Sequence, residues 1–119
     1  MPSLSSEREQ DACEDILLNA EAALRFTAGM TFPDFEADQK THYAVVRCLE
    51  IISEASRRLG PDAKARHPSI PWRDIADAGN LYRHAYHRVA LDIVWKTVHD
   101  QLTPLIAVCR FELGGPAAP

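Results

Sequence analysis

Several absences narrow the reading of this sequence before any motif is considered. No apolar run approaches the ~20 residues that span a bilayer. The opening "MPSLSSEREQD" lacks the basic-then-apolar pattern of a secretory leader, so a cytoplasmic protein with no membrane partner is expected. Cysteine is scarce: Cys13, Cys48 and Cys109 are odd in number, widely spaced and without a C-x-x-C pair. That excludes a disulfide framework and the common zinc spacings, and the three are expected to be core thiols. There is no excess of basic charge, with 13 Lys and Arg against 17 Asp and Glu and a net charge of −4. A protein that coats nucleic acid non-specifically is therefore excluded, and no DNA partner is expected, although a small local cationic site is compatible with this balance. Strand-like alternation, internal repeats and low-complexity tracts are also missing, apart from the short tail "GGPAAP".

What remains is a chain of 119 residues, 46% hydrophobic, the size of one domain and long enough to bury a core unaided. Ser6 and Glu9 form an S-x-x-E capping signal for a first helix, with Ala12, Ile16, Ala20, Ala23 and Leu24 at helical spacing and Gly29 as its stop. A connector with a short helical turn at Pro33–Glu36 precedes a second helix from Asp38 to Leu59. Its apolar face is Tyr43, Val46, Leu49, Ile51, Ile52, Ala55 and Leu59, and it is ended by Gly60–Pro61. The proline-rich "PDAKARHPSIP" reads as a second connector. A third helix opens at Pro71 and a fourth near Asp92, with Pro104 expected to kink or restart the latter. Trp72 and Trp95 read as core anchors. The expected architecture is all-α, an antiparallel four-helix bundle over residues 1–113, paired with a second copy of itself, with 114–119 as a flexible tail.

The third helix contains "GNLYRHAYHRV", residues 79–89. Asn80, Arg83, His84 and His87 fall at i, i+3, i+4 and i+7, which is one helix face. Every helix needs a solvent face, and that plain reading stands beside a functional one. Histidine is an uncommon choice for such a face, and a stripe free of carboxylates in an acidic protein suits an anionic ligand. An imidazole titrating near neutrality can move a proton, and a neighbouring guanidinium can stabilise charge developing on a phosphate. The set would suit metal-independent RNA cleavage with the ribose 2′-OH as nucleophile. A zinc pair at His84 and His87 is a weaker reading, because two imidazoles without a third ligand nearby make a poor site. Glu50 and Glu54 could orient Arg83 or Arg73, or could be ordinary helix carboxylates pairing with Arg57 or Arg58. Arg73 in a first helical turn gains nothing from the helix dipole, which favours a specific partner. His42, His67 and His99 read as surface or packing residues.

Four blocks, "LEIISEASRRL", "IPWRDIA", N-x-x-x-H-x-Y at Asn80, His84 and Tyr86, and "IVWKTVHDQLTPL", occur in the order and spacing of one family. Together they resemble the HepT-like group of the HEPN superfamily, over about Asp11 to Leu113. The resemblance implies a dimeric helical bundle acting as the ribonuclease toxin of a toxin–antitoxin pair, independent of metal and cofactor. It implies an active site of the form R-x4-6-H assembled from both subunits at the dimer interface. It also implies a minimal nucleotidyltransferase as antitoxin, adding AMP to the tyrosine two residues after the histidine. On this chain His84 is the motif histidine, Asn80 the motif asparagine and Tyr86 the modified tyrosine. The position of the motif arginine is Gly79, and residues 77 and 78 are Asp and Ala. Either Arg83 supplies the guanidinium, or the chain is a non-cleaving helical module that binds a nucleotidyltransferase partner. A substrate-binding subunit of a small-molecule nucleotidyltransferase is a third reading.

Overall fold

The computed structural model describes residues 6–84 and 90–115, without the side chains of Leu81, Arg83 and His84. Tyr86, His87 and the end of the tail, 116–119, lie outside the described residues. Among the described residues there are six helices and no strand: α1 (Glu7–Thr27), α2 (Phe32–Ala37), α3 (Gln39–Ser56), α4 (Pro61–Ala65), α5 (Trp72–His84) and α6 (Leu91–Glu112). None is long and apolar enough to cross a membrane. α1 packs against both α3 and α6, α5 packs against α3, and the short α2 bridges α3 and α6.

Local signals explain most boundaries. The Ser6 hydroxyl accepts from the Glu9 N–H at 3.1 Å, capping α1. The Glu9 carboxylate is buried and accepts from the Gly60 N–H at 2.7 Å, tying the start of α1 to the turn after α3. α1 ends before Gly29, whose φ of +76° gives the left-handed turn that a side chain resists. Ala12, Ala20 and Ala23 are fully buried, and their small size lets α3 and α6 approach α1 closely. α2 carries a reciprocal cap between Thr31 and Asp34. It wedges Phe35, fully buried, against Trp95 of α6 with ring centroids 5.2 Å apart.

The structure corrects the sequence expectations at five places. α3 ends at Ser56, three residues before Leu59, and its buried side is Val45, Cys48, Leu49, Ile52, Ser53, Ala55 and Ser56, with Tyr43 half exposed. The reason is its central place: a helix with neighbours on two sides buries two faces, which a single apolar stripe misjudges. The connector before α5 contains the short α4. α6 starts at Leu91 with Ala90 in the N-cap position, so Asp92 lies in the first turn rather than at the cap. α6 also runs unbroken through Pro104. Proline removes one backbone donor, but Leu102, Leu105, Ile106 and Cys109 are buried on either side and hold the helix in place. α5 begins at Trp72, one residue after Pro71, whose carbonyl accepts from the Ile75 N–H at 3.0 Å.

Candidate active site on helix α5

α5 has two unlike sides. Ile75, Gly79 and Tyr82 are buried. Ile75, Ala78 and Tyr82 line a largely apolar cleft of about 200 Å³ with Leu49 and Ile52 of α3 and Ile93, Thr97, Leu102 and Leu105 of α6. Burial pushes the Tyr82 phenol above its ordinary pKa, against a hydrogen bond with Thr97. The opposite side is polar, with Arg73, Asp74, Asp77 and Asn80 exposed. Arg83 and His84 lie in the last turn of α5. At 100° per residue, Arg73, Asn80 and His84 fall within one narrow sector of the helix, with Asp77 at its edge.

At Gly79 α5 passes close to Ser53 of α3. A Cβ built there would stand 3.0 Å from the Ser53 Cβ and closer still to its hydroxyl, so a side chain there requires the serine to turn away and the contact to give by a few tenths of an ångström. The same crossing is fastened by Ser53 of α3 and by Arg57, the residue that caps its end. The Ser53 hydroxyl donates to the Ala76 carbonyl at 2.9 Å, and the Arg57 guanidinium donates to the same carbonyl through Nη2. That Nη2 stands 3.8 Å from where the Gly79 Cβ would be. The glycine at the motif-arginine position thus sits in a tight crossing, and the guanidinium of Arg57, the residue that caps α3, lies beside it.

The two α3 carboxylates proposed as orienting groups have partners on their own helix. Glu50 pairs with Arg47, and Glu54 lies 3.5 Å from Arg58. Arg58 also pairs with Asp15 of α1 at 2.6 Å, an interaction that raises the arginine's pKa. Among the described residues neither Arg57 nor Arg73 has a carboxylate within ion-pair distance. Arg57 was legible in the sequence only as a helix charge beside Glu54, and Ser53 carried no signal at all. Their importance depends on a shared partner, Ala76, 23 residues from Ser53 and 19 from Arg57.

A second polar cluster, also unmarked in the sequence, lies where the end of α6 meets the segment after α4. The Glu112 side chain is 2% exposed and accepts from Arg66 Nη2 at 2.6 Å and Arg66 Nε at 3.0 Å, and its other contact is His67 Nε2 at 2.7 Å. The Arg66 hydrogen bond, with that of His67, holds its carboxyl below the usual glutamate range despite burial. All three cysteines are buried and free. Contact with Cys13, then burial, pushes the Cys109 thiol far up, as suits packing rather than nucleophilic chemistry.

Comparison with known proteins identifies the family. The family model described as ribonuclease HepT-like matches residues 16–111. The chain belongs to the HepT-like ribonuclease family. It is 43% identical over 96 residues to a "Probable ribonuclease HepT" of Thermococcus cleftensis, covering 81% of this chain and 87% of the relative. It is 33% identical to a "Putative RNase" of Methanocaldococcus jannaschii, covering 74% and 81%. It is 34% identical to a "Putative RNase" of Caldanaerobacter subterraneus, covering 77% and 82%. No solved structure gives a significant match. Within the HepT-like matched span lie α5, the Ser53–Gly79 crossing and most of α6.

Proposed function

We propose that this chain is a metal-independent endoribonuclease, the toxin of a toxin–antitoxin pair, acting as a homodimer with its site at the subunit interface. Membership of the HepT-like family over residues 16–111 carries this reading. The polar side of α5 supports it: Asn80 and His84 lie one turn apart near arginines that no described carboxylate neutralises. His84 acts as general base or acid. In transesterification a base takes the proton of a ribose 2′-OH as O2′ bonds to phosphorus. The P–O5′ bond breaks, and O5′ takes a proton from an acid. The products are a 2′,3′-cyclic phosphate and a free 5′-OH, with no external oxidant, metal or cofactor in the balance. Asn80 orients the imidazole. A guanidinium, Arg83 in the sequence reading, stabilises charge on the non-bridging oxygens of the phosphorane. Arg73 and His87 support RNA contact, with Glu50 and Glu54 setting the charge at the edge of the site. Tyr86 contacts substrate and is the residue at which a nucleotidyltransferase antitoxin inactivates the toxin by adding AMP.

The test is expression without the antitoxin, scoring growth and RNA integrity, with His84→Ala as control and cleavage of purified RNA in EDTA as the biochemical arm. Growth arrest and cut RNA only with the native chain are expected. Equal growth and intact RNA for both proteins would overturn the reading and favour the second one, a non-cleaving module that binds the nucleotidyltransferase. The glycine at position 79 favours that second reading, and co-expression with the partner followed by intact mass distinguishes the two. Whole AMP increments mapped to Tyr86 belong to the toxin.

A further inference from the structure

We infer that Arg57, on the α3 side of the α3–α5 crossing, is a catalytic arginine of this protein, contacting the RNA phosphate that the motif arginine would contact from position 79. The inference rests on the ribonuclease reading above and names the group that completes its site. Three observations converge on it. First, the packing at 79 is tight, with the Ser53 Cβ 3.0 Å from the point where a Cβ would start and its hydroxyl closer. Second, the Arg57 Nη2 stands 3.8 Å from that same point, held there by its hydrogen bond to the Ala76 carbonyl. A guanidinium anchored by one donor keeps four N–H groups for a ligand. Third, Arg57 is exposed and has no carboxylate partner among the described residues, whereas Arg47, Arg58, Arg66 and Arg110 are each paired.

Position and charge are therefore supplied by different helices. α5 supplies Asn80 and His84, and α3 supplies the guanidinium, reaching across a serine–glycine contact that brings the two backbones together. His84 lies five residues beyond Gly79, about 7.5 Å along the helix axis and about 140° around it, so RNA held at Arg57 has to run round α5 to reach the polar sector. The carboxylates nearest Arg57 are Glu50 and Glu54, which line a pocket with it and pair instead with Arg47 and Arg58; Asp77 makes no ion pair with Arg57 or Arg73 among the described residues. A planar fork of donors suits two phosphate oxygens at once, which an ammonium does not.

The experiment compares native chain, Arg57→Gln, Arg57→Lys, Arg83→Ala and His84→Ala in the full-length protein. Each is assayed for kcat and KM on a single-stranded RNA, for affinity to a 2′-deoxy version of that RNA across a salt series, and for Tm. Glutamine keeps an amide donor for the Ala76 carbonyl and loses the charge. Arg57→Gln is expected to lower kcat by about 100-fold, to reduce the slope of affinity against salt by about one phosphate contact, and to leave Tm nearly unchanged. Arg57→Lys is expected to recover the salt slope but only part of kcat. Native kcat and salt slope in Arg57→Gln would overturn the assignment while His84-dependent cleavage stands, as would a loss of activity that merely follows a fall in Tm. If native protein and His84→Ala cut RNA equally, the ribonuclease reading fails instead. The salt series then still decides whether Arg57 holds phosphate, because it needs no cleavage.

Discussion

Two regions of this molecule use arginine, histidine and a polar partner, and they use them in opposite ways. At the end of α6, Arg66 and His67 close on Glu112, whose side chain is 2% exposed, and the carboxylate's hydrogen bonds are met inside the protein. On α5 and at the facing end of α3, Arg57, Arg73 and Asn80 are exposed, and among the described residues neither arginine makes an ion pair. The residue types barely differ. What differs is whether a buried anion is supplied by the chain, and hence whether an outside anion has anything left to neutralise. A paired cluster fixes structure; an exposed arginine that makes no ion pair leaves its charge uncommitted.

The contrast can be broken from either side. The largest effect should come from His84→Ala, which is expected to lower RNA cleavage by about 1,000-fold with Tm unchanged; a matching loss of Tm would move α5's polar edge into the structural class. Next, Glu112→Ala leaves Arg66 and His67 facing a buried gap. It is expected to cost about 3 kcal/mol, read by denaturant unfolding, while kcat per folded molecule stays native. Third, Gly79→Ala sets a methyl against Ser53. The helix propensity gain of about 1 kcal/mol is outweighed by overpacking, for a net loss of about 1–2 kcal/mol, and Ser53→Ala in the same chain should return part of it. A stable, native-like Gly79→Arg protein would show that the α3–α5 crossing is looser than the 3.0 Å approach implies.

Acid titration gives a smaller effect of known sign. The Arg66 hydrogen bond holds Glu112's carboxyl below the glutamate range in the folded chain. The unfolded chain therefore takes up the proton first. The stabilisation is fully present above the ordinary glutamate value of about 4.3 and is lost as pH falls through the lowered folded value. Native protein should lose stability more steeply than Glu112→Gln below about pH 4. The smallest effect is expected for Lys96→Ala, which removes an exposed i,i+4 pair with Asp100 at 3.7 Å. Such pairs contribute about 0.5 kcal/mol or less, so neither Tm nor cleavage should move measurably.

Much of the fold was legible because its signals are local. The Ser6 cap, the Gly29 stop and the stripe of small residues in α1 depend on neighbours within a turn or two. The central helix was harder: Tyr43 looks apolar in sequence and is half exposed, because the position of α1 and α5 around α3 decides which of its faces is buried. α6 was expected to break at Pro104 and does not, because buried leucines on both sides outweigh one lost hydrogen bond. Of the candidate site, Asn80 and His84 were readable from spacing alone, since both lie on one helix. Arg57 was not. Its side chain is placed by an acceptor on another helix, and nothing in the letters around position 57 points to Ala76.

The sequence by itself determined that this chain is helical, that it belongs with the HepT-like ribonucleases, and that a histidine and an asparagine stand one turn apart on a polar face. Those features follow from periodicity and short motifs, in which neighbours in sequence are neighbours in space. Only the tertiary structure decided why position 79 is glycine and which guanidinium stands beside it. Both depend on how closely α3 passes α5, a distance set by the packing of Ser53 against Gly79 and by no residue on one helix alone.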